Sequence, residues 1–545
     1  MKTFKHKSLR LVLMILVMIM SLYCFVNAED YYVDTGGSNT TGNGSQGNPW
    51  QTIEYALTQV SYGDLIKIND GVYSEEQLNV PEGASLTSTS QDNAKVTIQP
   101  ANSAGIGSPF INIVSDTPGS SGNQHISYVA IDGDAIGGGK RARGILIQNR
   151  NDVRIHHCAI RDFGGVQYGG GVFVKSTSIP MTTNWWDIIP HDTGPPGDDS
   201  SFETTSVPWP SVSVEHFEFD HNTVVNCGFG WDNWTDPRGY GQLNLWSVKD
   251  SQIHHNLLDN SAMADHCIRG FGSCTALLWN VDFYNNEMHM KQRTNAQNFG
   301  FEVWLLRGGC EIYNNTFDNI ALSITQGKET EVCNNIIIHS PYLSGANSAL
   351  GIEFTYQSYG KINGNYIEGS HPTAISVGTA DCINFWKALK DVVISNNICV
   401  GAYTFGIGLT VFKAQTIADG FKIYNNVVAR GNDSSRLIYT GLKLDVFEGA
   451  TLKNTEVANN IVIGAGTYGG RTLIEDGSTY SNNTITNNLF YECDYNDWLH
   501  DTDINTIIAD PEFVDPANGD YHLQEGSPAI DAGIDVGLPF NGSAP

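Results

Sequence analysis

The stretch "CEIYNNTFDN", residues 310–319, sets two asparagines directly after an apolar–polar alternation, and the chain repeats the device. Echoes stand at "TEVCNNIIIH" (330–339), "DVVISNNICV" (391–400), "GFKIYNNVVA" (420–429), "NTEVANNIVI" (454–463) and "TITNNLFYE" (484–492). Aligned on the second asparagine or its equivalent, the column runs Asn222, Asn256, Asn286, Asn315, Asn335, Asn365, Asn397, Asn426, Asn460, Asn488. Its steps are 34, 30, 29, 20, 30, 32, 29, 34 and 28 residues, and Cys158 in "VRIHHCAI" holds the same place one insertion earlier. A recurring unit of this length is the signature of a solenoid.

Each unit alternates with period two and is rich in β-branched and aromatic residues, while helical periodicity is absent. Short strands returning once per unit, with Gly, Asn and Asp between them, suit a parallel β-helix whose coils stack about 4.8 Å apart. An asparagine at each bend tolerates unusual backbone angles, and its amide can bond turn groups in its own and adjacent coils. The column is therefore expected to be a buried asparagine ladder with a structural role.

The ends agree. "NPWQTIEYALTQVSYGDLIKINDGVYSE" (48–75) opens on an amphipathic segment, apolar at Ile53, Tyr55, Ala56, Leu57 and Val60, then a strand at Leu65-Ile66-Lys67-Ile68 and a turn at Asp70-Gly71. A short helix there would cover the first coil, whose bare edge would otherwise invite aggregation. "DPEFVDPANGDYHLQEGSPAIDAG" (510–533) is rich in Pro, Gly and Asp and would close the last coil with irregular structure. The expected layout is a signal peptide at 1–28 and one β-helix domain over 29–545. Within it, 29–100 would form the N-terminal cap and first coils, 101–500 the central coils, with loop insertions at 176–212 and 228–242, and 501–545 the C-terminal cap.

These ends also carry a resemblance. "YYVDTGGSNTTGNGSQGNPWQTIEYAL" with "GDLIKINDGVY" is similar to the opening of secreted bacterial right-handed parallel β-helix proteins of the pectate-lyase-like superfamily, and "DPEFVDPANGDYHLQEGSPAIDAG" resembles their usual close. The resemblance implies an all-β, right-handed parallel β-helix. It does not choose an activity, because that superfamily holds polysaccharide lyases, glycoside hydrolases, epimerases and non-catalytic binding proteins.

The first residues, "MKTFKHKSLRLVLMILVMIMSLYCFVNAED", place Lys2, Lys5, Lys7 and Arg10 before an apolar run and the small-residue site Val26-Asn27-Ala28. This reads as a secretory signal peptide cleaved near Ala28, giving an extracellular or periplasmic protein without a membrane span in the mature chain. Its removal leaves 26 basic against 58 acidic residues, a net charge of −32. Such a polyanion is a poor nucleic-acid binder and repels acidic polysaccharides unless a basic patch or cations intervene. The mature chain's cysteines (Cys158, Cys227, Cys267, Cys274, Cys310, Cys333, Cys382, Cys399, Cys493) lack metal-type spacing and read as buried free thiols, with Cys267–Cys274 the most plausible disulfide.

A second strand column lies upstream of the asparagines: "GILIQ", "GVFVK", "QLNLW", "CIRGF", "GFEVW", "ALSIT", "GIEFT", "AISVG", "GIGLT". With Ile145, Val172, Leu243, Ile268, Phe301, Leu322, Ile352, Ile375 and Ile407 inward, two outward stacks follow. One reads Leu146, Phe173, Asn244, Arg269, Glu302, Ser323, Glu353, Ser376, Gly408, and its neighbour Gln148, Lys175, Trp246, Phe271, Trp304, Thr325, Thr355, Gly378, Thr410. Over residues 244–353 aromatic faces (Trp246, Phe271, Trp304) stand beside charges and polar groups (Asn244, Lys175, Arg269, Glu302, Glu353), as a sugar-binding groove needs. The loop tryptophans Trp185, Trp186, Trp231 and Trp234 would wall it, and Asp187, Asp192, Asp198 and Asp199 offer oxygens for calcium.

Two mechanisms can be written on this face. In a hydrolase Glu302 and Glu353, or Asp265 in place of either, flank the glycosidic oxygen. In a lyase, which the resemblance favours slightly, a basic residue removes the proton alpha to a uronate carboxyl while calcium or another cation neutralises that carboxyl. The resemblance makes Arg269 the base, with Lys291 and Arg293 as neighbours or substitutes, and Asp265 and Glu302 as calcium ligands. His266 could assist either mechanism. No organic cofactor is implied, and the expected partner is a polysaccharide or oligosaccharide bound by a monomer. A third reading is a non-catalytic extracellular glycan-binding protein using the same aromatic face.

Overall fold

The structure, a computed structural model, describes residues 28–101, 108–134, 143–164, 170–177, 211–228, 241–261, 273–290, 300–339, 350–369, 373–379, 388–414, 416–431, 438–494 and 504–538. Its strands pair in parallel with the coil before and the coil after. Phe301–Arg307 lies between Ser273–Tyr284 and Leu322–Gly327, and Leu322–Gly327 pairs onward with Leu350–Thr355. One coil shows the three faces: Leu322–Gly327 on the first, Glu331–Cys333 on the second and Ile336–His339 on the third. Among the described residues, the first two faces merge into a sheet of 27 strands, and the third forms one of 15. They merge because strands such as Leu243–His254 run unbroken round the corner between them. This is a parallel β-helix.

The inner column follows the alternation. Ile145, Val172, Leu243, Phe301, Leu322, Ile352, Ile375 and Ile407 are all buried, and each occupies the same rung of its coil. The one correction concerns the coil after Leu243. Ser273, not Ile268, stands between Leu243 and Phe301, so Cys274 and Ala276 occupy the rungs expected for Arg269 and Phe271. The distance to the ladder decides this. Thirteen residues separate Leu243 from Asn256, Leu322 from Asn335 and Ile352 from Asn365, and thirteen also separate Ser273 from Asn286. Ile268 is eighteen residues away, too far for a strand that runs continuously to Tyr284. Later coils need more chain because a four-stranded sheet, built from Ala388–Lys390, Ile417–Asp419, Thr451–Lys453 and Thr479–Ser481, inserts before the second face.

The asparagine pairs divide their work. The second asparagine of each pair is buried, and its Nδ2 donates to the Oδ1 of the next, from Asn222 to Asn256 at 3.1 Å through to Asn460 and Asn488 at 2.9 Å. The same Nδ2 also donates to a main-chain carbonyl, as Asn335 does to Ile312 O at 2.8 Å, and the Oδ1 also accepts a main-chain N–H, as Asn335 does from Asn315 N at 3.0 Å. Cys158 joins through its main chain, its N–H donating to Asn222 Oδ1 at 2.9 Å. The unusual backbone angles belong to the residue before: Asn285, Asn314, Asn334, Asn396, Asn425, Asn459 and Asn487 all have φ between 53° and 58°. Asparagine is among the few side chains that enter this left-handed region at modest cost.

At the amino end, helix Ile53–Gln59 buries Ile53, Ala56 and Leu57. Thr52 Oγ1 accepts the Tyr55 N–H at 3.2 Å, and the Glu75 carboxylate accepts those of Ile53 and Glu54 at 2.8 and 3.1 Å, so the first turn is capped from two sides. At the other end the chain is more regular than its composition implies. Phe513–Asp515 and Asp520–Leu523 form an antiparallel pair, after which Ala532 and Ile534 bond the side chains of Asn487 and Asn459 on the flank of the coils. Cys158, Cys227, Cys310 and Cys399 are buried free thiols, and Cys333 and Cys493 are free and half-buried. Cys267 and Cys382 lie outside the described residues. Among those described, no helix is long and apolar enough to cross a membrane.

The ladder predicts a sharp contrast between neighbours. Asn335→Ala strands the Asn315 donors and the Ile312 carbonyl in the interior. At ~1–3 kcal/mol for each buried group left unpaired, it should lower the guanidinium unfolding midpoint by the equivalent of about 3 kcal/mol or more. Asn334→Gly, at an exposed position with φ of 54°, should change stability by less than about 1 kcal/mol. Equal losses at both positions would refute the division of roles.

Candidate functional site

Two columns of paired rungs alternate with the inner one on the first face. Paired rungs run Phe173, Asn244, Cys274, Glu302, Ser323, Glu353, Ser376, Gly408, and beside them Lys175, Trp246, Ala276, Trp304, Thr325, Thr355, Gly378, Thr410. Glu302 and Trp304 meet: Trp304 Nε1 donates to Glu302 Oε1 at 3.2 Å. Glu302 and Glu353 share a column two coils apart, with Ser323 between them donating its hydroxyl to Glu353 Oε2 at 2.8 Å. Burial pushes the Glu353 carboxyl up to about 6; the Ser323 hydrogen bond works against the rise and the charge of Glu302 adds to it.

The aromatic residues are arranged less openly than a sugar platform needs. Trp246 and Trp304 are 3% and 9% exposed, and Ala276 separates them in their column. Asn244 is occupied locally, its amide exchanging hydrogen bonds with both main-chain groups of Gly241 at 2.9 and 3.0 Å. Lys175, on the rung before Trp246, has its ammonium pushed down to about 8 by burial, with the charge of Arg143 adding to the effect. Asp265, His266, Arg269, Phe271, Lys291, Arg293, Trp185, Trp186, Trp231, Trp234, Asp187, Asp192, Asp198 and Asp199 lie outside the described residues.

The second face carries a group that the sequence reading passed over. Three successive coils place histidine, not asparagine, at the left-handed corner: His157, His221 and His255, with φ of 53–54°. Their rings lie face to face, His157 on His221 at 4.7 Å and His221 on His255 at 4.9 Å, with Tyr128 stacked on the outer side of His157 at 4.6 Å. Each Nδ1 meets the strand-end residue just before it, His156 Nδ1 at 3.0 Å, Asp220 Oδ2 at 2.8 Å and His254 Nδ1 at 2.9 Å. Burial works to raise the Asp220 carboxyl, but hydrogen bonds from Arg154 and His221 outweigh it and hold the group below its ordinary range. Burial, reinforced by Arg154, pushes the His156 imidazole down to about 4. The signal was present in "HHC" (156–158), "DHN" (220–222) and "HHN" (254–256), visible once the three are aligned on the ladder.

This face also borders a cavity of about 610 Å³ lined by Tyr32, Lys67, His125, Ser127, Tyr128 and His156 among others. Among the described residues, the groups of three or more His and carboxylate side chains whose ligand atoms converge all lie on this face; Glu302 is in none of them.

No family model and no curated protein matches the chain. Among solved structures, a mannuronic acid specific polysaccharide family 6 lyase from human gut microbiota matches at 12% identity and a TM-score of 0.38, covering 85% of this chain and 86% of its own. The catalytic unit of a thermostable GH87 alpha-1,3-glucanase from Streptomyces thermodiastaticus matches at 12% and 0.38, covering 84% and 69%. PfbA, a surface adhesin of Streptococcus pneumoniae, matches at 15% and 0.35, covering 85% and 90%. Likeness of this degree carries no argument about activity, and the β-helix stands on the strand pairings themselves.

The environment of Glu353 can be tested group by group. A carboxyl titration followed by NMR should find one glutamate near pH 6. Ser323→Ala should raise that value, since the lost hydrogen bond favoured the ionised form, and Glu302→Gln should lower it by removing a like charge. A value that moves with neither substitution would show that the column does not set it.

Proposed function

We propose that the chain is a secreted carbohydrate-active enzyme that cleaves glycosidic bonds of a polysaccharide on its first face, by hydrolysis. The observation that carries this reading is Glu353, whose carboxyl holds its proton up to about pH 6 in the same outward column as a second carboxyl, Glu302. Hydrolysis needs a protonated acid for the leaving oxygen and a separate carboxylate to activate water. In this reading Glu353 is the acid and Glu302 the base; Asp265 is the alternative second carboxyl.

Spacing supports inversion over retention. Two coil steps of roughly 4.8 Å put the two backbones about 10 Å apart. An inverting pair needs its carboxyls ~6.5–9.5 Å apart, which these backbones allow when the side chains incline toward one another, while a retaining pair needs ~5 Å. Because Trp246 and Trp304 are buried, the proposal rests on the carboxyls, and stacking of sugar on these rings requires the face to open.

A second reading is supported by Lys175. A lysine titrating near 8 is a usable general base at neutral pH. β-Elimination on a uronate-containing polysaccharide, with calcium or another cation neutralising the uronate, would start from it or from Arg269. The net charge makes that cation necessary for an anionic substrate.

A panel of neutral and uronate-containing polysaccharides, with calcium or with chelator, separates these readings. Hydrolysis yields new reducing ends without the ultraviolet absorbance of an unsaturated product. Since Glu353 must carry a proton, kcat/KM should be level at low pH on this limb and fall as pH rises through about 6. Glu353→Gln should cut kcat by roughly 10²–10⁴-fold while substrate binding persists. Calcium-dependent absorbance would replace hydrolysis with elimination, and binding without turnover in the parent protein would leave a glycan-binding module.

A further inference from the structure

The second face holds a set of side chains that the proposed reaction does not use. Glu218 and Asp220 alternate on one short strand, and Asp220 pairs across the sheet with His254 on the next coil. We propose that Glu218, Asp220 and His254 bind a divalent transition-metal ion of the zinc class.

Glu218 Oε1 stands 3.4 Å from His254 Nε2, and ligand atoms from all three residues lie within 4.8 Å of one another. Ligands held at ~2.0–2.2 Å in a tetrahedron are themselves about 3.4 Å apart, so one edge of the polyhedron is already at its bound length. Closing the remaining edges falls to Glu218 and His254, since Asp220 is held by Arg154 and His221.

The Asp220 side chain is fully buried; its Oδ1 accepts Arg154 Nε at 2.8 Å, and its Oδ2 accepts Arg154 Nη2 at 2.9 Å and pairs with His221 Nδ1 at 2.8 Å. A carboxylate has about four lone-pair sites, so these three contacts leave one on Oδ1. Arg154 Nε also reaches Glu218 Oε2 at 3.3 Å, while the other oxygen, Oε1, is the one near His254. Two carboxylates against one guanidinium leave a negative balance that a divalent cation removes.

Outer partners orient the ring. His254 Nδ1 is 2.9 Å from His255 Nδ1, and His255 Nε2 is 3.2 Å from the Asn285 amide. A metal on His254 Nε2 requires Nδ1 to carry the proton and donate it to His255 Nδ1, so that His255 Nε2–H then meets the Asn285 amide through its oxygen after an amide flip. Metal-ligating imidazoles are held in this way through their second nitrogen. One imidazole with two carboxylates suits borderline ions, and three protein ligands leave a position for water or a bound molecule. That position lies one coil from the 610 Å³ cavity, because His156, on the cavity wall, pairs with Asp220.

The test is calorimetric titration of the chelator-stripped mature protein with zinc chloride, with cobalt(II) absorption as a spectroscopic check on the ligands. The expected result is one saturable site, with a cobalt spectrum of mixed nitrogen and oxygen coordination. His254→Ala and Glu218→Gln should each weaken zinc roughly 100-fold; His254→Ala also removes a buried ring stacked on Tyr284 at 4.7 Å, so Glu218→Gln is the variant expected to keep its melting curve unchanged. Asp220→Asn is avoided because it would leave Arg154 without its buried partner. Absence of a saturable site overturns the proposal. So does affinity that survives His254→Ala but is lost with His157→Ala or His221→Ala, which would move the ion to the other group containing Asp220.

Discussion

Parallel coils satisfy their strand amides against the coils on either side, but at the corner between the second and third faces the buried ladder residue's main-chain N–H is met by a side chain and not by a carbonyl of the next coil. A buried amide without a partner costs about as much as a lost hydrogen bond. The asparagine ladder removes that cost between the second and third faces, since each side chain bonds the next amide as well as main-chain groups. It also imposes a length. Each coil must deliver an asparagine to the same place, and the coils that start at Leu243, Ser273, Phe301, Leu322 and Ile352 do so in thirteen or fourteen residues. Over these coils the variation falls on the other side, from seven residues between Asn315 and Leu322 to seventeen between Asn335 and Ile352, whereas fifty residues separate Val172 from Asn222. Chain length thus varies on both sides of the first face, and a face bordered by variable segments is where a solenoid acquires a binding site.

The same constraint explains why chemistry arrives in columns. A rung fixed by the ladder puts one outward side chain above another at about 4.8 Å. That gives Ser323 its place between two glutamates, and desolvation does the rest for Glu353. On the second face the corner residue is held at positive φ whatever its identity, at about 1 kcal/mol for a side chain larger than glycine. Three successive histidines accept that cost, and the stacked rings with their Nδ1 contacts return part of it.

Much of this was legible in the chain. The ladder, the inner column and the rungs of Glu302, Glu353, Trp246 and Trp304 follow from alternation and the asparagine period alone. The misplaced coil at Arg269 shows where alternation fails: "CIRGF" and "SCTAL" both fit a short strand, and only counting back thirteen residues from Asn286 separates them. The histidine stack was missed because its members were weighed singly, although the repeat had already placed them in one column. Other corners could not be read. Ser247, Leu277, Leu305, Gln326 and Tyr356 turn from the first face to the second at positive φ, and nothing in their side chains favours that region.

The two faces also differ in what water can reach, and this separates their chemistry. Glu353 sits where burial makes a charge expensive, and its carboxyl keeps its proton up to about pH 6. On the second face Arg154 and His221 are each partly open to solvent while bonding the buried Asp220, so that carboxylate stays ionised inside a polar network. One fold thereby holds a protonated carboxyl and an ionised one on adjoining faces, set by depth and partners and not by residue type. A group poised to give up a proton suits acid catalysis, and a fixed anion beside imidazoles suits a cation. Because a coil contacts only its neighbours, the two settings can be changed independently, and substitutions that alter one column need not disturb the other.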